Sequence, residues 1–396
     1  MTTLSGEINQ LQTSRQRRLN SAKKILRTLA IASLLFAGVF ISVLLLRPAA
    51  RDYISYWSAA RLLVHHIDPY SPARVFALEK AQGDLATHPI IMRNPPWAMF
   101  LVVPLAFGSP FATLFFWTLA SIGCILIFAR LLRVPSKDRA FAFVFAPAVS
   151  CVFLGQSSAF LLLGFALFLY LHQRHPFLSG AALLLMAIKP HLFLVFWAVL
   201  LADCIYRRRF LILAGGAAAF TAATAFAMAL DPRIWQQYVA MLRASALEHE
   251  FFPTASMLIR VLINRGSDWL LFVPSALGII WGLRYYKRNR QAWDWRIHGM
   301  LLLLVTVTVS PYGWFADSIV LLPPIVFALA SPQKHKYSAG ILMAINTIAL
   351  VILLVIRARI TSPAYVWLPL AILVWFLYTL KKPQQSSIRL ASQVAG

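Results

Sequence analysis

Arg207-Arg208-Arg209-Phe210-Leu211-Ile212-Leu213-Ala214-Gly215-Gly216-Ala217-Ala218-Ala219-Phe220-Thr221-Ala222-Ala223-Thr224-Ala225-Phe226-Ala227-Met228-Ala229-Leu230-Asp231 decides the fold class. Between the arginines and the aspartate, positions 210–230 carry no charge. That is the length a helix needs to cross ~30 Å of hydrocarbon. Apolar stretches of this kind recur from Leu29 to Leu380, separated by short basic or proline-containing joints. Composition agrees: of 396 residues 60% are hydrophobic and only 13% charged, with mean hydropathy +0.71. A soluble domain carries roughly 25% charged residues. The sequence therefore predicts an all-α polytopic membrane protein, in which each backbone polar group is satisfied within its own helix.

The spans expected are 29–46, 110–132, 140–154, 157–172, 177–189, 191–206, 210–230, 269–286, 298–309, 315–331, 338–356 and 364–381, about 12 in all by length and hydropathy. The segment Pro95–Phe107 is apolar but short and opens on Pro95-Pro96, so it reads as a re-entrant or interfacial helix. The domain layout is a basic cytoplasmic tail (1–28), one integral domain (29–381) and a second cytoplasmic tail (382–396). Leu29–Leu46 is long for a signal segment and lacks an obvious small-residue cleavage site, so it reads as a retained span.

The net charge of +24 raises nucleic acid as a partner, but the charge lies in the joints between spans. With the N-terminus inside, most Lys and Arg fall in cytoplasmic joints and most Asp and Glu in outer ones, as the positive-inside rule requires. Both termini are then cytoplasmic. Arg207-Arg208-Arg209, Arg284–Arg290 and Gln333-Lys334-His335-Lys336 orient the chain and touch anionic lipid headgroups. The unusual residues gather on the opposite, outer face. Cys124, Cys151 and Cys204 lie in or beside apolar segments, without metal-ligand spacing or an even count for disulfides, and read as packing residues.

Asp52 sits just beyond the first span, where a carboxylate is costly unless something uses it. Two readings stand: a general base for an acceptor hydroxyl, or a helix N-cap or partner of Arg51 or Arg93. Asp68-Pro69 reads as a turn initiator. His65-His66 point in different directions on a helix, and no cluster completes a metal site. Lys189 lies between two apolar halves beside Pro190, and either pairs with a phosphate or snorkels to the headgroup layer. Gly155-Gln156-Ser157-Ser158 either hydrogen-bonds a sugar or phosphate or is a plain hairpin turn. The aromatic-rich 231–253 stretch is an interfacial belt or a platform for a sugar or polyprenyl chain. P-loop, dinucleotide and Ser/His/Asp patterns are not apparent, so no cofactor is expected.

Taken in order, Asp52-Tyr53-Ile54-Ser55-Tyr56-Trp57, Asp68-Pro69-Tyr70, Asn94-Pro95-Pro96-Trp97, Gly155-Gln156, Lys189-Pro190 and Ser310-Pro311-Tyr312 resemble glycosyltransferase family 87, the polyprenol-phosphate-mannose-dependent mannosyltransferase-like proteins of bacteria. The resemblance implies a GT-C fold in the bacterial cytoplasmic (inner) membrane with the active site facing the periplasm. It implies a polyprenyl-phosphate sugar donor, a lipid or glycan acceptor, and metal-independent inverting transfer with Asp52 as the catalytic base. Lys189, Arg93, His191, Gln156 and Tyr56 become candidates for binding donor phosphate or substrate. The family often carries histidines in its late motif; this chain has Phe315-Ala316-Asp317 there, with Asp317 or His191 as candidate replacements. The competing reading is a transporter or flippase of a lipid-linked or anionic solute, since a broken helix beside a cation suits transporters too. Against it, no inverted repeat is apparent and the polar residues share one face. A transferase of the same fold using another sugar, such as arabinose, is the third reading.

Overall fold

Proline and glycine punctuate this chain more often than its hydropathy suggests, and the helix limits follow them. The computed structural model describes residues 38, 50–83, 87–244, 251–332, 334–356, 359 and 361–380. Apart from residue 38, the expected first span 29–46 and both tails, 1–28 and 382–396, lie outside the described residues. All regular structure among the described residues is helical. The order is α1 (Arg51–Val64), α2 (Pro72–Ala81), α3 (Pro96–Phe107), α4 (Pro110–Leu131), α5 (Ser136–Val144), α6 (Ala146–Leu154), α7 (Ser158–Leu171), α8 (Pro176–Met186), α9 (Pro190–Tyr206), α10 (Phe210–Leu230) and α11 (Ile234–Ala244). Then follow α12 (Ala255–Ile263), α13 (Val273–Asn289), α14 (Trp295–Thr308), α15 (Phe315–Ala330), α16 (Ser338–Val355) and α17 (Pro363–Leu380).

Proline opens α4, α8 and α9, where its missing N–H costs nothing and its fixed φ suits the first turn. Ser109 caps α4 by accepting the Ala112 N–H at 3.3 Å. Asp294 does the same for α14 through Arg296 N–H at 2.8 Å.

Four helices, α4, α10, α16 and α17, are long and apolar enough to cross a membrane by length and composition. Six more, α3, α7, α8, α9, α14 and α15, are apolar but shorter. By this measure the expected count of about 12 spans is not reached among the described residues, because many of the apolar helices stop short of full membrane length at breaks in the chain. The expected span 140–154 shows the cause, because Phe145 is extended (φ −62°, ψ 121°) ahead of Ala146-Pro147 and divides it into α5 and α6. Asn346 of α16 reaches into that break. Its Oδ1 accepts the Ala146 N–H at 2.8 Å and its Nδ2 donates to Val144 O at 2.9 Å. Backbone groups freed at a break inside an apolar region need such a partner. The Pro95–Phe107 stretch is a short helix, as expected, and is held by side chains: Trp57 Nε1 donates to Gly108 O at 3.1 Å, Arg61 Nη1 to Ala106 O at 2.8 Å, and Trp97 Nε1 to Ala187 O at 2.8 Å.

The core runs through α4, α7, α9, α14 and α15, with Phe128, Phe165, Phe168, Phe196 and Trp295 fully buried. At its edge α8 and α10 touch backbone to backbone. A Cβ on Gly180 would meet Ile212 O at 1.9 Å, and one on Gly215 would meet Phe177 O at 1.9 Å. Small residues permit this close approach, which is how helices associate where lipid offers no hydrophobic drive. The outer flanks stay apolar and exposed, with Phe210, Leu211 and Phe226 on α10 and Leu370 and Val374 on α17. That is the surface a helix presents to lipid. Cys124, Cys151 and Cys204 are all buried thiols.

Candidate active site

Five chain breaks meet at one end of the bundle: the start of α1, the α6–α7 turn, the α8–α9 break, the α14–α15 connection and the approach to α3. The α6–α7 turn is set by Gly155, which caps α6 in the left-handed region (φ +67°). A Cβ there would lie 2.5 Å from Tyr53 Cβ, so only glycine lets the turn press against α1. Trp117 Nε1 donates to Gly155 O at 2.8 Å and holds the turn from the other side. The turn therefore delivers Gln156 to the first turn of α1, where Asp52 lies.

Asp52 is not the N-cap of α1. That position is Ala50, and Asp52 falls inside the first turn. Its Oδ2 accepts a hydrogen bond from Gln156 Nε2 at 2.8 Å. The other end of the same amide is held twice, since Gln156 Oε1 accepts from Lys189 Nζ at 2.8 Å and from Tyr56 OH at 3.1 Å. With two donors on the oxygen, the amide nitrogen is left facing Asp52. Tyr56, a substrate-binding candidate by sequence, is buried with its hydroxyl aimed at this amide.

Lys189 and Asp317 form the buried base of the site, 4% and 2% exposed, with Lys189 Nζ 2.6 Å from Asp317 Oδ1. Pro190 forces Lys189 out of helical conformation (φ −129°, ψ 73°) and so turns its side chain off the α8 axis. An ammonium has three N–H donors. Here they have three acceptors: Asp317 Oδ1, Gln156 Oε1 and Ser158 Oγ at 3.3 Å. The ring of Trp314 lies 5.5 Å from the ammonium. Asp317 also accepts from the Ser158 hydroxyl and, through Oδ2, from Trp314 N–H at 2.9 Å. The expectation that Lys189 reaches a phosphate directly thus meets a different arrangement, in which the cation is already enclosed by its own protein partners. Ser158 likewise serves the ion pair.

His191 and Arg93 stand on a second, aromatic side. The His191 ring stacks on Tyr312 with centroids 3.8 Å apart, and Phe252 packs against Tyr312 and Trp314 at 5.9 and 5.5 Å. His191 Nε2 has no hydrogen-bond partner among the described residues. Arg93 is half-buried near Tyr312; burial raises that phenol's pKa, and the Arg93 charge opposes the rise. Asn94, which sequence reading left without a role of its own, ties the α3 approach to the break: its Nδ2 donates to Ile188 O at 3.0 Å, and its backbone oxygen accepts from Tyr70 OH at 3.0 Å. Of the 231–253 aromatics, Trp235 packs on Trp97 at 5.6 Å and Tyr238 on Tyr70 at 5.4 Å.

Asp68 is structural: its Oδ1 accepts Tyr70 N–H at 2.9 Å, closing an Asx turn. Burial lifts its carboxyl above the ordinary range, partly offset by that N–H. His66 lies elsewhere, with Nδ1 2.6 Å from Leu230 O. Among the described residues no three His, Cys, Asp or Glu side chains come together as a metal site.

The model of glycosyltransferase family 87 matches residues 93–311, more than half of the chain. The chain belongs to glycosyltransferase family 87. It is a membrane glycosyltransferase, and its sugar donor, its acceptor and membrane lipid are its partners in that coarse sense. The matched segment includes Arg93, Gln156, Lys189 and His191, whereas Asp52, Tyr56 and Asp317 lie outside it. Neither a curated protein nor a solved structure matches this family 87 chain.

Proposed function

We propose that this family 87 glycosyltransferase moves a hexose, mannose in the first instance, from a polyprenyl-phosphate sugar to a lipid or glycan acceptor on the periplasmic face of the inner membrane. The observation that carries the reading is the Asp52–Gln156–Lys189 chain, in which a carboxylate on the rim is held by an amide whose orientation is itself locked. A general base needs this: a fixed position and a lone pair directed at the incoming proton. The acceptor hydroxyl attacks the anomeric carbon while Asp52 takes its proton. The bond from that carbon to the phosphate oxygen breaks on the opposite face, so configuration inverts and polyprenyl phosphate leaves.

Lys189 acts at one remove in this scheme, orienting Gln156, while Arg93 and the His191–Tyr312 stack face the leaving phosphate and sugar. Positive charge near the departing oxygen stabilises it without a metal. A groove of about 290 Å³ between α8, α9 and α10, lined by Leu183, Ala187, Trp197, Leu213 and Phe220, suits an apolar donor tail. Its lining includes Ala187, two residues before Lys189. A solute transporter has no need of a carboxylate held this way.

The test is incubation of purified protein in detergent with radiolabelled polyprenyl-phosphate mannose, the arabinose analogue and total membrane lipid, with EDTA present. Label appearing in a lipid or glycan product supports the reading. If both donors are left intact across acceptor preparations while label crosses vesicles instead, transport replaces transfer.

A further inference from the structure

A second cavity, of about 550 Å³, lies at the opposite end of the bundle, where α4 and α7 end and α14 begins. The α7 helix leads from Ser158 at the active site to this cavity, and its 14 residues set the two roughly 21 Å apart. Leu169, Met300, Val326 and Phe327 form apolar walls, and three arginines line the same space: Arg133, Arg174 and Arg296. They come from three separate places in the chain, the ends of α4 and α7 and the first turn of α14, so helical spacing does not explain their meeting. All three are exposed, and among the described residues none forms an ion pair with a carboxylate. Asp294, two residues before Arg296, directs Oδ1 to the backbone N–H at the start of α14. Arg133 takes a left-handed conformation (φ +53°), uncommon for a residue with a side chain. Tyr170, half in the cavity wall and half exposed, is a residue type found at the membrane–water boundary.

We propose that this cavity binds one anionic phospholipid, its phosphate held by Arg133, Arg174 and Arg296 and its acyl chains passing over Phe327 and Val326 into the bilayer. Three unopposed guanidiniums select a negatively charged headgroup, each able to make paired hydrogen bonds to phosphate oxygens. The apolar walls select a ligand with a hydrocarbon part, which a free phosphate lacks. A cavity of this size takes a headgroup and the first part of its chains. The lipid would bridge α4, α7, α14 and α15, and α7 and α15 carry Ser158 and Asp317 at their other ends. Binding here is separate from donor binding and does not depend on which sugar is transferred.

The experiment measures lipid binding to the full chain in neutral detergent, by native mass spectrometry and by shift in thermal midpoint. The probes are phosphatidylglycerol, phosphatidylcholine and inorganic phosphate at equal concentration. Wild type is compared with the triple variant Arg133→Gln, Arg174→Gln, Arg296→Gln, and with a triple variant of equal charge loss at exposed positions outside the cavity, Arg74→Gln, Arg243→Gln, Arg265→Gln. Each surface-proximal arginine contributes about a fivefold change in affinity for anionic lipid, so the cavity triple should weaken phosphatidylglycerol binding on the order of 100-fold. The control triple should bind as wild type. If the cavity triple fails to fold, the three single variants are measured, each expected to weaken binding about fivefold. Equal loss in the control triple, wild-type binding in the cavity variants, or an equal shift with phosphatidylcholine or with inorganic phosphate alone would each overturn the proposal.

Discussion

Lys189 Nζ lies 2.8 Å from Gln156 Oε1, and that contact sets which end of the Gln156 amide meets Asp52. The ammonium can only donate, so it claims the amide oxygen. The nitrogen is left for the carboxylate. A buried ion pair thereby positions a group on the rim that it does not touch.

Replacing Asp52 with Asn keeps its size and its hydrogen-bonding capacity but removes its basicity. Turnover is expected to fall by roughly 10²–10⁴-fold, the usual contribution of a general base, with expression near wild type. Sugar transfer at matched protein level is the measurement. Undiminished transfer in Asp52→Asn removes this residue from the chemistry.

Lys189→Met leaves the Asp317 carboxylate buried without its cation, a change that costs about 3–5 kcal/mol in comparable settings. The double variant Lys189→Met, Asp317→Leu removes both charges and should recover most of that stability, since an apolar pair of similar volume fills the same space. It should not recover transfer, because Gln156 has lost the donor that orients it. Thermal midpoints in one detergent, read alongside transfer, separate the two effects. A double variant no more stable than the single one contradicts the ion-pair account.

Gly155→Ala places a methyl 2.5 Å from Tyr53 Cβ at a left-handed backbone position. The conformation alone costs roughly 1–2 kcal/mol for a residue with a Cβ, and the clash pushes the turn off α1. Both thermal midpoint and turnover should drop, the second because Gln156 moves away from Asp52. Wild-type values for both would mean that α1 yields freely to the methyl and that the turn does not set the Asp52–Gln156 distance.

Orientation is tested separately. Reporter fusions at Ala140, His335 and Gln384 are expected to read cytoplasmic, and those at Gly83, Glu248 and Thr361 periplasmic. A cytoplasmic signal at Gly83 or Thr361 would reverse the assignment of the active-site end.

Much of the membrane character was legible from local pattern. The uncharged run Phe210–Leu230 is one helix with those limits, and Pro110–Leu131 matches its expected span to within a residue. Helix breaks at Gly155 and Lys189-Pro190 were readable because glycine and proline act on their own backbone. The division of 140–154 at Phe145 was harder, since the cost of that break is met by Asn346, some 200 residues away.

The amino-acid order by itself determined what is local: the apolar helices, the punctuation between them and the candidate polar residues Asp52, Gln156, Lys189 and Asp317. Only the tertiary structure decided how those residues pair. Lys189 and Asp317 are 128 positions apart, and Gln156 and Asp52 are 104 apart. A hydrogen bond acts over about 3 Å, whereas sequence pattern reports only on neighbours within a few turns. The Lys189–Asp317 pairing was therefore visible only in the packing, where burying the ammonium required a partner of opposite sign.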